Sequence, residues 1–60
     1  MKNYKDIVEL FSRIFKVVLK DNDVTVYGVI NNSSTSKTFN YKHAEVAKEV
    51  ATKIEYFKGI

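Results

Sequence analysis

Between Tyr4 and Leu19 the apolar residues recur at a spacing that a helix turns to one side. At about 100° per residue, Tyr4, Ile7, Val8, Phe11, Ile14, Phe15, Val18 and Leu19 fall on one face, widened by Leu10 and Val17. Lys5, Asp6, Glu9, Ser12, Arg13 and Lys16 share the remaining arc. That separation predicts an amphipathic helix over 4–19. Asn3 stands where an N-cap belongs, with Asp6 as a short capping-box acid. Lys20 suits the last turn, and Asn22 suits a left-handed C-terminal position. The competing pattern is a strand over 13–20, because Ile14, Phe15, Val17 and Val18 are strong strand formers. Strict alternation would set Ile14 and Val18 beside Lys16 and Lys20 on the wet face, so the helix is preferred.

Downstream the period changes to two. Val24, Val26, Gly28 and Ile30 alternate with Thr25, Tyr27 and Val29, which predicts a strand over 23–31 with one face inward. Gly28 within it marks a bulge or a close backbone approach. Polar residues from Asn31 to Ser36 read as a loop, and residues from Lys37 to Phe39 or Tyr41 as a short returning strand. Asn40 then serves as N-cap for a second helix from Lys42 to Phe57, striped by Val46, Val50, Ile54 and Phe57 and flanked by Ala44, Ala47 and Ala51. Its solvated face carries a favourably ordered Glu49 to Lys53 pair. The expected fold is one small α+β domain over residues 1–60, a helix–β-hairpin–helix (αββα), with αβββα as the alternative if residues 13–20 are a strand.

Little in the chain carries bond-making chemistry. With no cysteine there is no thiol nucleophile, thiolate metal site or disulfide. His43 is the only histidine, and Ala47 occupies the i+4 position where a second metal ligand would stand, so it reads as a structural or helix-start residue. Ser12, Ser33, Ser34 and Ser36 lack any nucleophile motif, and two distant glycines make no phosphate cradle. Asn31-Asn32-Ser33 and Asn32-Ser33-Ser34 match a glycosylation pattern that matters only in a secreted chain. No enzyme activity, cofactor or metal is expected. Neither a signal peptide nor a membrane span is visible, which points to the cytoplasm of a bacterial or phage-infected cell.

What remains is surface. A chain of 60 residues buries only about 60% of its unfolded surface. The apolar arc of the first helix, roughly 200° wide against the ≳100° a single layer needs, therefore predicts a symmetric homodimer. Tyr4, Leu10, Phe11 and Val17 at its edges, with Thr25, Tyr27 and Val29 on the outward side of the hairpin, are the candidate protein interface. Phe, Tyr, Met, Ile, Asn and Lys number 28 against 6 of Gly, Ala, Arg and Pro, the bias of an A/T-rich genome. The expected function is thus a non-enzymatic interaction protein, a phage- or mobile-element-encoded inhibitor or modulator of a host protein.

The alternative is a weak, non-specific nucleic-acid-binding accessory protein. Net charge is +3, and the first twenty residues account for all of it. Lys2, Lys5, Arg13, Lys16 and Lys20 would line one arc of the first helix and track a phosphate backbone, with Glu9 among them. The layout is similar to that of a double-stranded-RNA-binding domain, although Lys42-His43-Ala44-Glu45 replaces that family's lysine-rich entry to the second helix. Ser36-Lys37-Thr38-Phe39 and the alanine-spaced helix after it resemble the last strand and helix of the arm-binding domain of phage-type integrases, without that domain's basic strands. Neither resemblance assigns a family.

Overall fold

The computed structural model describes residues 3–58. Its order is α1 (Tyr4–Leu10), β1 (Arg13–Lys20), β2 (Asp23–Ile30), β3 (Ser33–Asn40) and α2 (Ala44–Lys58). The strands form one antiparallel sheet in the order β1-β2-β3. The domain is therefore α+β with the αβββα order.

The first helix is much shorter than its hydrophobic period suggested. Asn3 caps it as expected, its Oδ1 accepting from the Asp6 amide at 3.0 Å. At the other end Phe11 is already extended, at φ −101° and ψ 137°. Ser12 then donates both its amide and its hydroxyl to the Val29 carbonyl, at 2.8 and 3.0 Å. These bonds tie the chain to the end of β2, and residues 13–20 continue as a strand.

Strict alternation would place both Ile14 and Val18 with Lys16 and Lys20; a bulge turns Ile14 inward and leaves Val18 on the outer face. Arg13 pairs with Val29 and Ile14 with Gly28, whereas the next pair is Lys16 with Tyr27, leaving Phe15 without a partner. One extra residue on one strand switches which numbers face in. Ile14 faces inward before the bulge and Val17 and Leu19 after it, opposite Val26 and Val24, while Arg13, Lys16, Val18 and Lys20 face outward. In a helical projection these same side chains made one broad apolar arc. In the sheet they divide between two faces, so the continuous surface from which a dimer was expected does not exist.

The hairpin also differs from expectation. Asn31 and Asn32, at φ 52° and 65°, form a two-residue turn, and β3 begins at Ser33 rather than near Lys37. Asparagine enters the left-handed region more readily than most residues, as primed hairpin turns require. All eight β3 residues pair with β2, yet seven are exposed. Their Ser and Thr side chains belong to an edge strand, which has no need of an apolar face.

Both helices cover the same side of the sheet. Ile7 and Phe11 pack with Val24, Val26, Tyr41, Ala47, Val50, Ala51 and Ile54 to make the core. Ala47 and Ala51 on α2 are small enough to bring that helix close to its neighbours. Helix α2 starts after the expected Lys42, with the His43 carbonyl accepting from the amides of Val46 and Ala47, both at 3.1 Å. Asn40 is not its cap; it ends β3 and donates its amide to Asp23 Oδ1 at 2.7 Å. Tyr41 enters the core and donates its own amide to the Asn22 carbonyl at 2.9 Å, fixing the start of α2 to the β1–β2 turn.

Candidate functional site

Cross-strand partners in an antiparallel ladder share a face, so the pairings define what the helix-free side of the sheet presents. β1 contributes Arg13, Lys16, Val18 and Lys20; β2 contributes Asp23, Thr25, Tyr27 and Val29; β3 contributes Ser34, Ser36, Thr38 and Asn40. Phe15 joins them from the bulge, with the Arg13 guanidinium 5.4 Å from its ring centroid. Phe15 is 49% exposed and Tyr27 41%. The face thus has a basic row on one strand, two open aromatic rings at its middle and a row of hydroxyls on the far strand.

Its charge is one-sided. Among the twelve strand-paired positions the only acid is Asp23, which lies opposite Lys20 and whose carboxylate accepts from Asn40. The hydroxyls of Thr25 and Thr38 bond to each other at 3.0 Å, which rigidifies the surface between rows. Elsewhere on the fold the charges are mixed. On α2, Lys53 pairs with Glu49 at 3.2 Å and Lys58 with Glu55 at 3.6 Å.

Both sets of candidate residues are rearranged by the fold. From the nucleic-acid set, Arg13, Lys16 and Lys20 come together on the outer sheet face; Lys5 lies apart on α1, and Lys2 lies outside the described residues. From the protein-interface set, Tyr27 and Val29 lie across the ladder from Lys16 and Arg13, and Thr25 lies across from Val18 on the same face. Phe11 is instead a core residue and Val17 packs against the core. Tyr4 stacks edge-on against Phe57 with centroids 5.4 Å apart, and Leu10 remains exposed on α1. Phe15, which the helical period places in the apolar arc, belongs instead to this face; its unmatched place in an otherwise alternating strand is the sequence signal for it.

An open cleft of about 410 Å³ lies between the two helices, bordered by Tyr4, Lys5, Tyr41, Val46, Glu49 and Lys53. Lys53 Nζ sits 4.9 Å from the Tyr4 ring centroid while paired with Glu49. Burial raises the pKa of the Tyr41 phenol. Among the described residues no group of His, Asp or Glu side chains could hold a metal ion, and no helix is long and apolar enough to cross a membrane. His43 is exposed just ahead of α2. Comparison of the chain with family models, with curated proteins and with solved structures finds no match.

Proposed function

We propose that the protein is a non-enzymatic nucleic-acid-binding accessory module whose working surface is the helix-free face of the sheet. The observation that supports this reading is the placement of Arg13, Lys16 and Lys20 on one strand, with Tyr27 directly opposite Lys16. Cations in a row track phosphates without reading sequence, and exposed aromatic rings beside them add contact area. A labelled 20-mer titrated by fluorescence anisotropy tests the reading. Three cationic contacts correspond to a log–log salt slope of roughly −2, so affinity falls about 100-fold for each tenfold rise in salt. Replacing Arg13, Lys16 and Lys20 by Gln abolishes both the binding and its salt dependence.

A protein partner is the second reading, and a different surface favours it. Tyr4, Val8 and Phe57 border a groove of about 210 Å³ between α1 and α2. Tyr56 extends that apolar strip, edge-on to Phe57 at 5.1 Å and 72% exposed. A phage-encoded inhibitor would dock its host protein there, or a second copy of the chain would cover the strip as a homodimer. Such an apolar contact weakens little with salt, which separates it from the first reading.

A further inference from the structure

We propose that the outer sheet face takes single-stranded rather than duplex nucleic acid, with bases stacked on Phe15 and Tyr27 and phosphates running past Arg13, Lys16 and Lys20. This rests on the nucleic-acid reading above and names the form of the ligand.

The bulge carries the distinction. Without Phe15 the sequence of β1 would run Arg, Ile, Lys, Val, Val, Leu, Lys and alternate without interruption, outward at each cation and inward at Ile14, Val17 and Leu19. The ladder to β2 keeps every one of its pairs when Phe15 is left out of the count. The residue is therefore an insertion outside the ladder's pairs, and it is a large apolar one held half-exposed. Bulges of this kind re-aim a side chain. Here Lys16 lies opposite Tyr27 and the unpaired Phe15 precedes it under the Arg13 guanidinium, so the bulge adds an aromatic ring to a face that already carries cations and Tyr27.

Such a cluster suits unpaired bases. In a duplex the base faces are already stacked on each other, and a flat protein surface meets mainly phosphates and groove edges. A single strand presents each base as an open π-face, and aromatic rings in a positively charged groove hold it with little regard for sequence. The Arg13 guanidinium over Phe15 adds a planar cation against which a base can also stack. Ser34, Ser36 and Thr38 line the far side with small hydroxyls that leave the rings accessible. The single acid, Asp23, sits at the end of the face, engaged with Asn40.

The experiment uses the full chain with fluorescein-labelled dT20, rU20 and a mixed-sequence 20-base-pair duplex at one low salt concentration. The expected result is binding to at least one single strand about tenfold or more tighter than to the duplex. Phe15→Ala and Tyr27→Ala each weaken the single-strand affinity roughly 5- to 150-fold, the range of one lost base–aromatic stack, and leave duplex affinity within about twofold. Tighter binding to either dT20 or rU20 than to the duplex supports the proposal. Phe15→Leu and Tyr27→Leu keep the apolar bulk without the π-face, and should lose affinity as the alanine variants do. They also serve if an alanine variant fails to fold. Duplex binding equal to or tighter than single-strand binding, or leucine variants that bind like the parent, overturns the stacking proposal while leaving the nucleic-acid reading in place. Absence of binding to all three probes overturns both.

Discussion

Lys16 lies across the ladder from Tyr27, and the residue before it, Phe15, has no partner. Two β1 residues therefore stand against one β2 residue in the register of the uncovered face. That relationship sets the outward grouping of cations and rings, while Val17 on the other side packs against the core.

The other half of this arrangement is Gly28, opposite Ile14 on the inward face beneath Phe11. A Cβ built there would lie 2.8 Å from Phe11 Cδ2 and would run into the carbonyl oxygen of Arg13. Backbone cannot move aside as a flexible side chain can. Gly28→Ala should destabilise the fold by about 1–3 kcal/mol, the usual cost of overpacking, which for a domain of this size is a drop in Tm of roughly 4 °C or more. A melting temperature unchanged by the substitution would show that Phe11 and the bulge yield easily.

Asn31 and Asn32 both occupy the left-handed region. A residue with a Cβ but no local polar side chain is strained there, so Asn31→Ala and Asn32→Ala should each destabilise by about 1 kcal/mol. Asn32→Gly restores the favoured Asn-Gly turn and should leave urea stability unchanged or slightly higher. Equal losses for alanine and glycine at position 32 would mean that the side chain, not the backbone angle, holds the turn.

Tyr41 is 2% exposed, and burial raises the pKa of its phenol. The folded chain therefore keeps this proton to a higher pH than the unfolded chain does. Its contribution to stability is complete below the unfolded value, about 10, and is lost as pH climbs from there through the folded value. Urea midpoints should hold steady to about pH 9.5 and then fall. Tyr41→Phe has no phenol to ionise and should fall less steeply over the same range. Parallel declines in the two proteins would assign the alkaline sensitivity to lysines instead.

The fold was legible wherever one side of an element faces the core and the other faces water. The period of two in β2 and the alanine-spaced stripe of α2 have that character, and both elements form close to the expected residues. β1 did not, because its bulge reverses parity midway. The steps from Ile14 to Val17 and Val18, and from Phe15 to Val18 and Leu19, then mimic the 3- and 4-residue spacing of a helix. β3 was hidden for a different reason: an edge strand of serines and threonines has no apolar period, and its pairing is carried by the backbone. Tyr27, Thr25 and Val29 were placed outward from alternation alone. Their proximity to Arg13, Lys16 and Lys20 could not be read until β1 was known to be a strand.

Removal of Phe15 offers the sharpest separation of fold from function. β1 is an edge strand, so its outer side has no partner whose register a deletion would disturb. The shortened strand keeps Ile14, Val17 and Leu19 inward and every cation outward, as the existing pairs already specify. Deletion of Phe15 should therefore leave unfolding free energy within about 1 kcal/mol of the parent, far from the 3–5 kcal/mol that truncation of a core phenylalanine costs. Single-strand binding should fall at least as far as in Phe15→Ala, because the ring goes and Lys16 and Tyr27 relax into an ordinary cross-strand pair. Chemical denaturation and anisotropy on the same preparation measure both quantities. A deletion variant that does not fold would show that the bulge is required by the sheet, and the case for Phe15 as a residue kept for binding would fail with it.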